Sequence, residues 1–547
     1  MRGLVLTVAA STLIYSVAHA QDVLQPGRAV VGEIPPGATH RVAVELGAGD
    51  YVTATITRQG KIDLAVVKPD GGLLRRFRAP AVDETRQIAF VAELAGGFRI
   101  ELSNAATTPA KFEIRLDAIE PLSVRLAPSA RTDPFSSPTI EALRKEIAAG
   151  MISTERFWAD VARQGAPLVE TLGTDGKYQL VTFLWRGTPL TKNVVVLGPN
   201  WGSRNPADNS MQRLAETDVW YLTKRLPAGA RFEYRLSPND PLTADSRGSA
   251  IRRATAQADP LNPNDWGCAL QSTKHECLSS AELPGARPQP WRVKLAGKPE
   301  GRVEHHVVNS QIQKLDRPID VYTPPGYRRD GSPCALLVLF DGPAYLSVEQ
   351  GMPTTLDNLI GSAAIPATLA VLVSNVGDRR LTDLVPNPEF ADFIAKELVP
   401  WVRSRYNVTI DPSRTVVGGY SAGGLAAAYM GFRHPGVFGN VLSQSGAFWW
   451  APEHYQNADA TTETNWMVRQ FLASPTLPVK FYLDAGTFEM DSAGEGGDIL
   501  EASRHLRDVL RAKGYVVHYQ QFVGGHDGLS WRGTLADGLI ALLGSKQ

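Results

Sequence analysis

Alternating apolar and polar positions dominate residues 21–120. Segments 41–46, 51–56 and 98–102 are strand-like, and turn sequences rich in glycine and aspartate separate them. Alternation with a period of two is typical of strands that bury one face, and short strands joined by tight turns build sandwiches. The pattern therefore predicts a small accessory β-sandwich over residues 21–120, in which no residue points to catalysis.

The pattern changes over residues 121–165. Residues 127–138 are rich in serine and proline, which is typical of a linker, and residues 140–162 have helical periodicity that Gly150 interrupts. These features predict a linker followed by two short helices. Strand-like segments then return over residues 166–289 and predict a second sandwich-like domain; examples are 179–185, 194–197, 218–222 and 231–236.

From residue 290 onwards, apolar runs of strand length alternate with helical segments. The runs are 317–322, 335–340, 367–373, 414–417 and 479–483, and the helical segments are 389–406, 424–432 and 499–513. Such alternation specifies a parallel sheet with crossover helices, and active sites in these sheets form at the carboxyl ends of the strands. Residues 290–547 are therefore predicted to form a doubly wound, mostly parallel α/β domain.

The N-terminus has the pattern of a secretory signal. Arg2 precedes a mostly apolar stretch, residues 4–17, and Ala18-His19-Ala20 matches a cleavage site flanked by small residues. Residues 1–20 are therefore predicted to be a signal peptide, and the mature protein to be periplasmic or secreted. The apolar stretch is too short for a stable membrane span, and no later stretch reaches the required length.

Composition limits the partners and cofactors. The formal net charge of zero argues against a general nucleic-acid binder. In an oxidising compartment Cys268 and Cys277 can pair across a short loop or stay unpaired, while Cys334 is expected to be buried in a strand. His275 is the only further ligand near these cysteines, so no metal site is predicted. The chain contains no Walker-type loop and no dinucleotide fingerprint, so no cofactor is expected.

Ser421 is the candidate nucleophile. Residues 419–423 read GYSAG, directly after an apolar strand-like run and directly before a helical segment. A strand, a tight turn with serine at its tip and a helix expose the hydroxyl group of the serine, and the flanking glycines allow the strand and the helix to approach each other. The serine needs a base, and His526 is the candidate because it lies between glycines in a loop beyond the last strand.

The acid and the oxyanion donors are less sharply defined by the sequence. Glu489 is the preferred acid, with Asp484 and Asp491 as alternatives in the same loop after strand 479–483. The amide of Ala422, next to the nucleophile, is predicted to be one oxyanion donor. The second donor is expected in the loop 341–344; Pro343 has no N–H, so Gly342 or Ala344 must supply it, and Gly342 is preferred.

Two long segments carry a family resemblance. Residues 418–450 read GGYSAGGLAAAYMGFRHPGVFGNVLSQSGAFWW, and residues 524–539 read GGHDGLSWRGTLADGL. Both resemble the enterochelin (enterobactin) esterases of the esterase-D-like group, and the resemblance covers about residues 165–547. Asp383 is a departure, because the family has glutamate there. The resemblance implies an α/β-hydrolase domain over residues 290–547 and an enterochelin-esterase-type β domain over residues 166–289. The first sandwich resembles pre-peptidase-type accessory domains.

The resemblance also implies a substrate class, a trilactone catecholate siderophore or its ferric complex, cleaved at its serine ester bonds. Such a substrate is anionic and has flat aromatic faces, so arginines and aromatic walls suit it. Iron would arrive only as part of the substrate. Candidates for binding are Arg380, Trp450, Trp531 and Arg532, although Trp450, like Trp449, can equally be core packing, and Arg532 can form a salt bridge.

Three other functions remain open at the level of sequence. The chain can be a general exported carboxylesterase or feruloyl-type esterase, which keeps the triad without a siderophore pocket. It can be an acyltransferase, in which an alcohol other than water intercepts the acyl-serine. It can also be a non-catalytic siderophore-binding protein, which the presence of Ser421, His526 and an acidic loop argues against.

Overall fold

The structure is a computed structural model that describes residues 22–544 apart from 78–82, 126–134, 136, 151–152, 173–175, 200–204, 269–271, 453–464 and 491–497. The predicted signal peptide lies outside the described residues, as does most of the predicted linker. The chain divides into two compact units, residues 1–125 and residues 126–547. Among the described residues, no helix is long and apolar enough to cross a bilayer.

The first unit is a sandwich of two sheets. Its elements are β1 (Asp22–Val23), β2 (Ala29–Ile34), β3 (Thr39–Leu46), β4 (Tyr51–Gln59), β5 (Ile62–Val67), β6 (Leu73–Phe77), β7 (Glu84–Val91), β8 (Gly96–Asn104), β9 (Ala110–Glu120) and α1 (Leu122–Arg125). The sheets have the orders β1-β3-β8-β5-β6 and β2-β9-β4-β7. Alternate apolar residues of both sheets, such as Val42, Ile100, Val52 and Ile114, share one core. This confirms the first predicted sandwich.

The second unit begins with two helices and a second sandwich. Its first elements are α2 (Pro138–Ala148), α3 (Glu155–Gln164), β10 (Leu168–Leu172), β11 (Tyr178–Arg186), β12 (Val194–Leu197), β13 (Gln212–Arg213), β14 (Val219–Pro227), β15 (Arg231–Pro238), α4 (Ser246–Thr255), β16 (Asp265–Trp266) and β17 (Leu278–Glu282), with a 3₁₀ turn at Pro206–Asn209. The sheets have the orders β10-β11-β14-β13 and β12-β15-β17-β16. Phe183 and Phe232 pack between them. Cys268 and Cys277 form a disulfide.

An eight-stranded sheet forms the rest of the second unit. Its strands are β18 (Arg302–Ser310), β19 (Leu315–Thr323), β20 (Ala335–Phe340), β21 (Thr368–Val373), β22 (Thr415–Tyr420), β23 (Asn440–Gln444), β24 (Lys480–Gly486) and β25 (Val517–Phe522). The order is β18-β19-β21-β20-β22-β23-β24-β25, and all pairs from β21 to β25 are parallel. β18 and β19 pair antiparallel at one edge.

Helices cover both faces of this sheet. They are α5 (Gly342–Tyr345), α6 (Met352–Gly361), α7 (Arg380–Leu384), α8 (Pro388–Asp392), α9 (Val399–Arg405), α10 (Ala422–Arg433), α11 (Trp466–Ala473), α12 (Ile499–Ala512) and α13 (Gly528–Leu543), with a π-helical turn at Phe393–Leu398 and 3₁₀ turns at Pro290–Arg292 and Pro412–Arg414. Each face has its own apolar core. The predicted α/β-hydrolase fold, preceded by two β-sandwiches, is confirmed.

Strand β23 was not anticipated from the sequence because polar residues occupy its C-terminal half. Gln444 is nevertheless fully buried in the middle of the sheet. Its Nε2 donates to the carbonyl oxygen of Trp531 and to Thr534 Oγ1, and its Oε1 accepts from the Tyr345 hydroxyl. A buried amide is tolerated when its donors and acceptor are all paired, so packing outweighs the weak strand pattern here.

Candidate active site

Ser421 lies in the sharp turn between β22 and α10, at the carboxyl edge of the sheet. Its backbone has φ 58° and ψ −124°, a strained combination for a residue with a side chain. The turn also requires glycine at its neighbours. A Cβ on Gly419 would lie 2.8 Å from the carbonyl carbon of Gly423, and one on Gly424 would lie 2.4 Å from Ser443 Oγ. The glycines therefore let strand and helix approach closely enough to hold the serine at the tip.

His526 and Glu489 are brought together from loops that follow β25 and β24. Glu489 Oε1 lies 2.6 Å from His526 Nδ1, and its Oε2 accepts a hydrogen bond from the Gly486 amide at 2.5 Å. The Glu489 side chain is fully buried. A carboxylate at Nδ1 fixes the tautomer with the proton on that nitrogen, which leaves Nε2 as the basic atom. Two adjacent strand ends thus bring the candidate base and the candidate acid into contact.

The other two candidate acids are placed differently. Asp484 is the last residue but two of β24 and is almost completely buried, and its Oδ1 accepts a hydrogen bond from the Ser445 amide at 2.9 Å. Burial raises the pKa of the Asp484 carboxyl group to about 8. The group is therefore mostly neutral at pH 7 and is engaged away from the imidazole. Asp491 lies outside the described residues.

The loop after β20 contains the two candidate oxyanion donors that the sequence left open. The Ala344 amide already donates to the Asp341 carbonyl oxygen at 3.0 Å, which favours the amide of Gly342 as the second donor. Gly342 is also required by packing, because a Cβ there would lie 2.8 Å from the Cβ and 2.9 Å from the carbonyl carbon of Leu372. The Ala422 amide begins α10, where first-turn amides have no partner within the helix.

Arg380 contacts this same loop. Its Nε and Nη2 donate to the two carboxylate oxygens of Asp341, each at 2.7 Å, and Asn375 Nδ2 donates to Asp341 Oδ1 at 2.6 Å. The hydrogen bonds to Asp341 raise the pKa of the Arg380 guanidinium. Arg380 therefore holds the loop that carries the candidate oxyanion donors, while 35% of its side chain remains exposed.

The two candidate tryptophans are buried. Trp450 packs edge-on against Trp466 within the core beneath α10. Trp531 stacks on Tyr420 with ring centroids 4.4 Å apart, and its Nε1 donates to Ser445 Oγ at 2.9 Å. The imidazole of His526 stands perpendicular to the Trp531 ring at 4.8 Å. Trp531 therefore packs against the imidazole ring of His526 and helps to hold it in place.

Arg532, in helix α13 of the hydrolase domain, contacts the second sandwich. Its Nε donates to Gln289 Oε1 at 2.7 Å and its Nη2 to Glu282 Oε1 at 2.8 Å. The guanidinium lies 4.7 Å from the ring centroid of Trp266. Burial, followed by repulsion from Arg292, lowers the pKa of Arg532 to about 10. Of the two roles open at the level of sequence, the structure contains the salt bridge.

Comparison with known proteins places the chain in a family. The model of the Esterase family matches residues 310–542, and the model "Enterochelin esterase, N-terminal" matches residues 180–292. The chain is 30% identical over 431 residues to the iron(III) enterobactin esterase of Dickeya dadantii (strain 3937), covering 73% of this chain and 94% of that protein. It belongs to the enterobactin (enterochelin) esterase family.

Further similarities agree with this membership. The iron(III) salmochelin esterase of Escherichia coli O6:H1 is 29% identical over 417 residues, which cover 74% of this chain and 98% of that protein. The crystal structure of the Shigella flexneri enterobactin esterase in the presence of enterobactin gives a TM-score of 0.55 at 30% identity, covering 69% of this chain and 96% of that one. As a family member, the chain is a carboxylic ester hydrolase.

Asp383, where the chain departs from the family, is part of a buried ion pair. Asp383 Oδ2 lies 2.6 Å from Arg317 Nη2, and both side chains are buried. Gln313 and Arg379 donate to the other carboxylate oxygen at 3.2 and 3.1 Å. The carboxylate of Asp383, which lies in α7, is therefore paired within the domain core.

Two carboxyl groups near His526 were missed from the sequence. Asp527 caps α13 by accepting from the Ser530 amide at 3.0 Å, and Glu233 of β15 accepts from the Leu529 amide at 3.2 Å. Burial raises the pKa of both groups, and their mutual repulsion adds to the effect at Asp527. Asp527 directly before a helical segment is a readable capping signal, whereas nothing in the sequence connects Glu233 to this loop.

The part of the chain that the structure describes contains no candidate metal site. No group of three or more His, Cys, Asp or Glu side chains there could hold a metal ion.

Proposed function

We propose that this chain hydrolyses the ester bonds of an enterobactin-like catecholate trilactone, or of its ferric complex, through an acyl-Ser421 intermediate. The observation that carries the proposal is the contact of the buried Glu489 with the partly exposed His526 at 2.6 Å. His526 also packs on Trp531, which stacks on Tyr420, the residue before Ser421. The relatives of this chain include iron(III) enterobactin and salmochelin esterases. His526 is the base, Glu489 orients it, and the amides of Gly342 and Ala422 are the oxyanion donors.

The proposed reaction has two symmetrical halves. Ser421 Oγ attacks the ester carbonyl carbon while its proton passes to His526 Nε2, and the oxyanion forms between the two amides. The carbon–oxygen bond to the leaving serine hydroxyl then breaks, and that oxygen takes the proton from His526. A water molecule repeats these steps on the acyl-Ser421 and releases the acid. The buried Glu489 carboxylate stabilises the imidazolium ion in both halves.

Substrate binding is proposed to depend on Arg380, because it combines positive charge, partial exposure and contact with the oxyanion loop. An anionic substrate near the loop would be attracted to this guanidinium. Trp450, Trp531 and Arg532 support the site from buried positions, so they are proposed to shape it rather than to form its outer wall. Iron enters only within the substrate, and no cofactor takes part in the proposed steps.

We also propose that the chain is exported and that its domains follow the pattern seen in the sequence. Residues 1–20 would be removed as a signal peptide, which leaves a periplasmic or secreted protein. Residues 21–120 would form the accessory sandwich, residues 121–165 the linker and helices, residues 166–289 the enterochelin-esterase-type β domain, and residues 290–547 the esterase domain. Both family matches fall within the last two of these ranges. Edman sequencing of protein recovered from the periplasm and the medium would test the cleavage after Ala20.

The test of function is a comparison of esters with purified residues 21–547. Ferric and iron-free enterobactin, a feruloyl ester and a short p-nitrophenyl ester are incubated with the protein, and the products are identified by mass spectrometry. We expect linear dihydroxybenzoyl-serine products that are absent with Ser421→Ala. Turnover of the p-nitrophenyl or feruloyl ester without any cleavage of the trilactone would contradict the proposed substrate while leaving the esterase chemistry intact.

A further inference from the structure

A cavity of about 530 Å³ lies between the second sandwich and the edge of the hydrolase sheet. Segments 228–231 and 285–292 form one side, and strand β25 with helix α13 forms the other. Ser421, Glu489 and His526 are not among the residues that line it. Its volume is within the range of cavities that bind small molecules. The cavity is therefore a second concave surface, which shares Arg532 but none of the three candidate catalytic residues with the candidate active site.

Four arginines line this cavity: Arg231, Arg287, Arg292 and Arg532. Two carboxylates neutralise them in part, since Glu282 accepts hydrogen bonds from Arg231 and Arg532, and Asp537 pairs with Arg287 at 3.0 Å. Glu349 attracts Arg292 more weakly. Asp527 also attracts Arg532, but burial raises the pKa of the Asp527 carboxyl group well above its usual range, which favours its neutral form. The four guanidinium groups therefore outnumber the ionised carboxylates. Uncompensated positive charge in a partly buried space favours an anion.

Two of these arginines also have unused hydrogen-bonding capacity. Within the described part of the chain, the buried Nε atoms of Arg231 and Arg292 have no hydrogen-bond partner. A buried donor without an acceptor is costly, and a carboxylate can accept from guanidinium groups in a planar, two-point arrangement. Free carboxylate oxygens in the cavity would therefore satisfy both the charge and the donors.

The remaining walls of the cavity combine polar side chains, such as Gln289 and Gln520, with flat apolar ones. Trp291 and Phe522 line it together with Pro288 and Pro290. Aromatic rings and prolines offer surfaces on which a planar ring packs, and guanidinium groups also stack on aromatic faces. A small inorganic anion would leave these walls uncovered, whereas a ring that carries a carboxylate would cover them.

We propose that this cavity is a second ligand site that binds a small aromatic carboxylate of the benzoate type, with the ring between the apolar walls and the carboxylate on the arginines. The site is distinct from the esterase centre. The proposal does not depend on a siderophore being the substrate, because it is tested by binding rather than by turnover.

The first experiment is calorimetric titration of the full mature chain carrying Ser421→Ala with benzoate, benzamide and acetate. We expect benzoate to bind about tenfold or more tightly than benzamide, which lacks the charge, and than acetate, which lacks the ring. Equal affinity for benzoate and benzamide, or for benzoate and acetate, would overturn the assignment of ligand class.

Variants then locate the site. Arg292→Gln and Arg287→Gln are each expected to weaken benzoate binding about tenfold or more, while p-nitrophenyl ester hydrolysis in the otherwise native chain stays unchanged. Arg287 is exposed and its side chain forms a surface ion pair with Asp537, so its replacement keeps the test valid if Arg292→Gln folds poorly. Arg403→Gln is the matched control, since it removes a partly buried arginine that does not line the cavity. Unchanged benzoate binding in both cavity variants would refute the proposal.

A direct structural readout completes the test. Crystals soaked in 4-iodobenzoate should give an anomalous iodine peak between Trp291 and Phe522. A peak only beside Ser421, or no peak, would show that the cavity is not the site.

Discussion

Replacing Glu489 with glutamine tests the proposed acid most sharply, because the change removes charge while it preserves shape. Two donors converge on the Glu489 carboxylate, His526 Nδ1–H at 2.6 Å and the Gly486 amide at 2.5 Å. A glutamine amide offers only one oxygen. If that oxygen faces His526, the Gly486 N–H is left buried and unpaired. If it faces Gly486, the amide NH₂ donates to Nδ1 and forces the proton onto Nε2.

The cost can be estimated from these two losses. A hydrogen bond to a charged group contributes about 1.5–3 kcal/mol, and an unpaired buried donor costs about 1–3 kcal/mol. Together they amount to about 2.5–6 kcal/mol of lost transition-state stabilisation, which corresponds to a fall in kcat/KM of roughly 10²–10⁴-fold. The loss should be mainly in kcat, because the substrate does not contact Glu489 in the proposed mechanism.

The assay is p-nitrophenyl ester hydrolysis between pH 5 and 9, with Ser421→Ala as the background and Asp484→Asn as the matched control. Proton NMR of the native chain should show a downfield imidazole N–H signal that disappears in Glu489→Gln. We expect Asp484→Asn to stay within a few-fold of the native rate. A Glu489→Gln rate within tenfold of the native rate, or an equal loss in Asp484→Asn, would refute the assignment of the acid.

Three further changes follow from the same geometry. Ser421→Gly should abolish turnover yet raise the unfolding free energy by about 1 kcal/mol, because glycine tolerates the positive φ; denaturant unfolding checks this, and a less stable variant would argue against strain. Gly342→Ala should lower kcat about 10–100-fold, because its Cβ would collide with Leu372 and displace the oxyanion loop; steady-state kinetics with an unchanged kcat would contradict this. Asp484 has a raised pKa of about 8, so the folded state retains a proton that the unfolded state loses, and native stability falls as pH rises from about 4 to 8. Asp484→Asn should remove this pH dependence. The unfolding free energy of the variant minus that of the native chain should therefore increase by up to about 1.4 kcal/mol per pH unit between about pH 4 and 8, as measured by urea unfolding. A difference in unfolding free energy that stays constant with pH would exclude the pKa shift.

The sequence was sufficient to predict where the candidate residues at the ends of strands would lie. Ser421, Glu489 and His526 each follow a strand of the parallel sheet, and parallel strands bring their carboxyl ends to one edge. Their assignment as a triad remains a prediction, but their convergence is a consequence of topology that the pattern of strands and helices already contained. The same logic predicts the oxyanion donors in the loop after β20, and this assignment also remains a prediction.

The roles of the arginines could not be predicted in this way. Arg380 pairs with Asp341, 39 positions away, and Arg532 pairs with Glu282, 250 positions away. No local pattern distinguishes an arginine that will bind substrate from one that will brace a loop, because the difference depends on which carboxylate the tertiary fold brings near. Strand β23 was missed for a related reason, since Gln444 is satisfied by Trp531, Thr534 and Tyr345, which are distant along the chain.

The second sandwich has a consequence for catalysis that only the tertiary contacts reveal. The Arg231 amide donates to the Val523 carbonyl oxygen at 2.9 Å, Glu233 accepts from the Leu529 amide, and Gln289 Nε2 donates to the Leu529 carbonyl oxygen at 3.0 Å. These hydrogen bonds fix the chain at Val523, before His526, and at Leu529, after it. A loop with glycines at positions 524, 525 and 528 has high conformational entropy, so bonds from a neighbouring domain reduce the number of positions open to the imidazole. The second sandwich therefore contributes to holding the loop that carries His526, the candidate base.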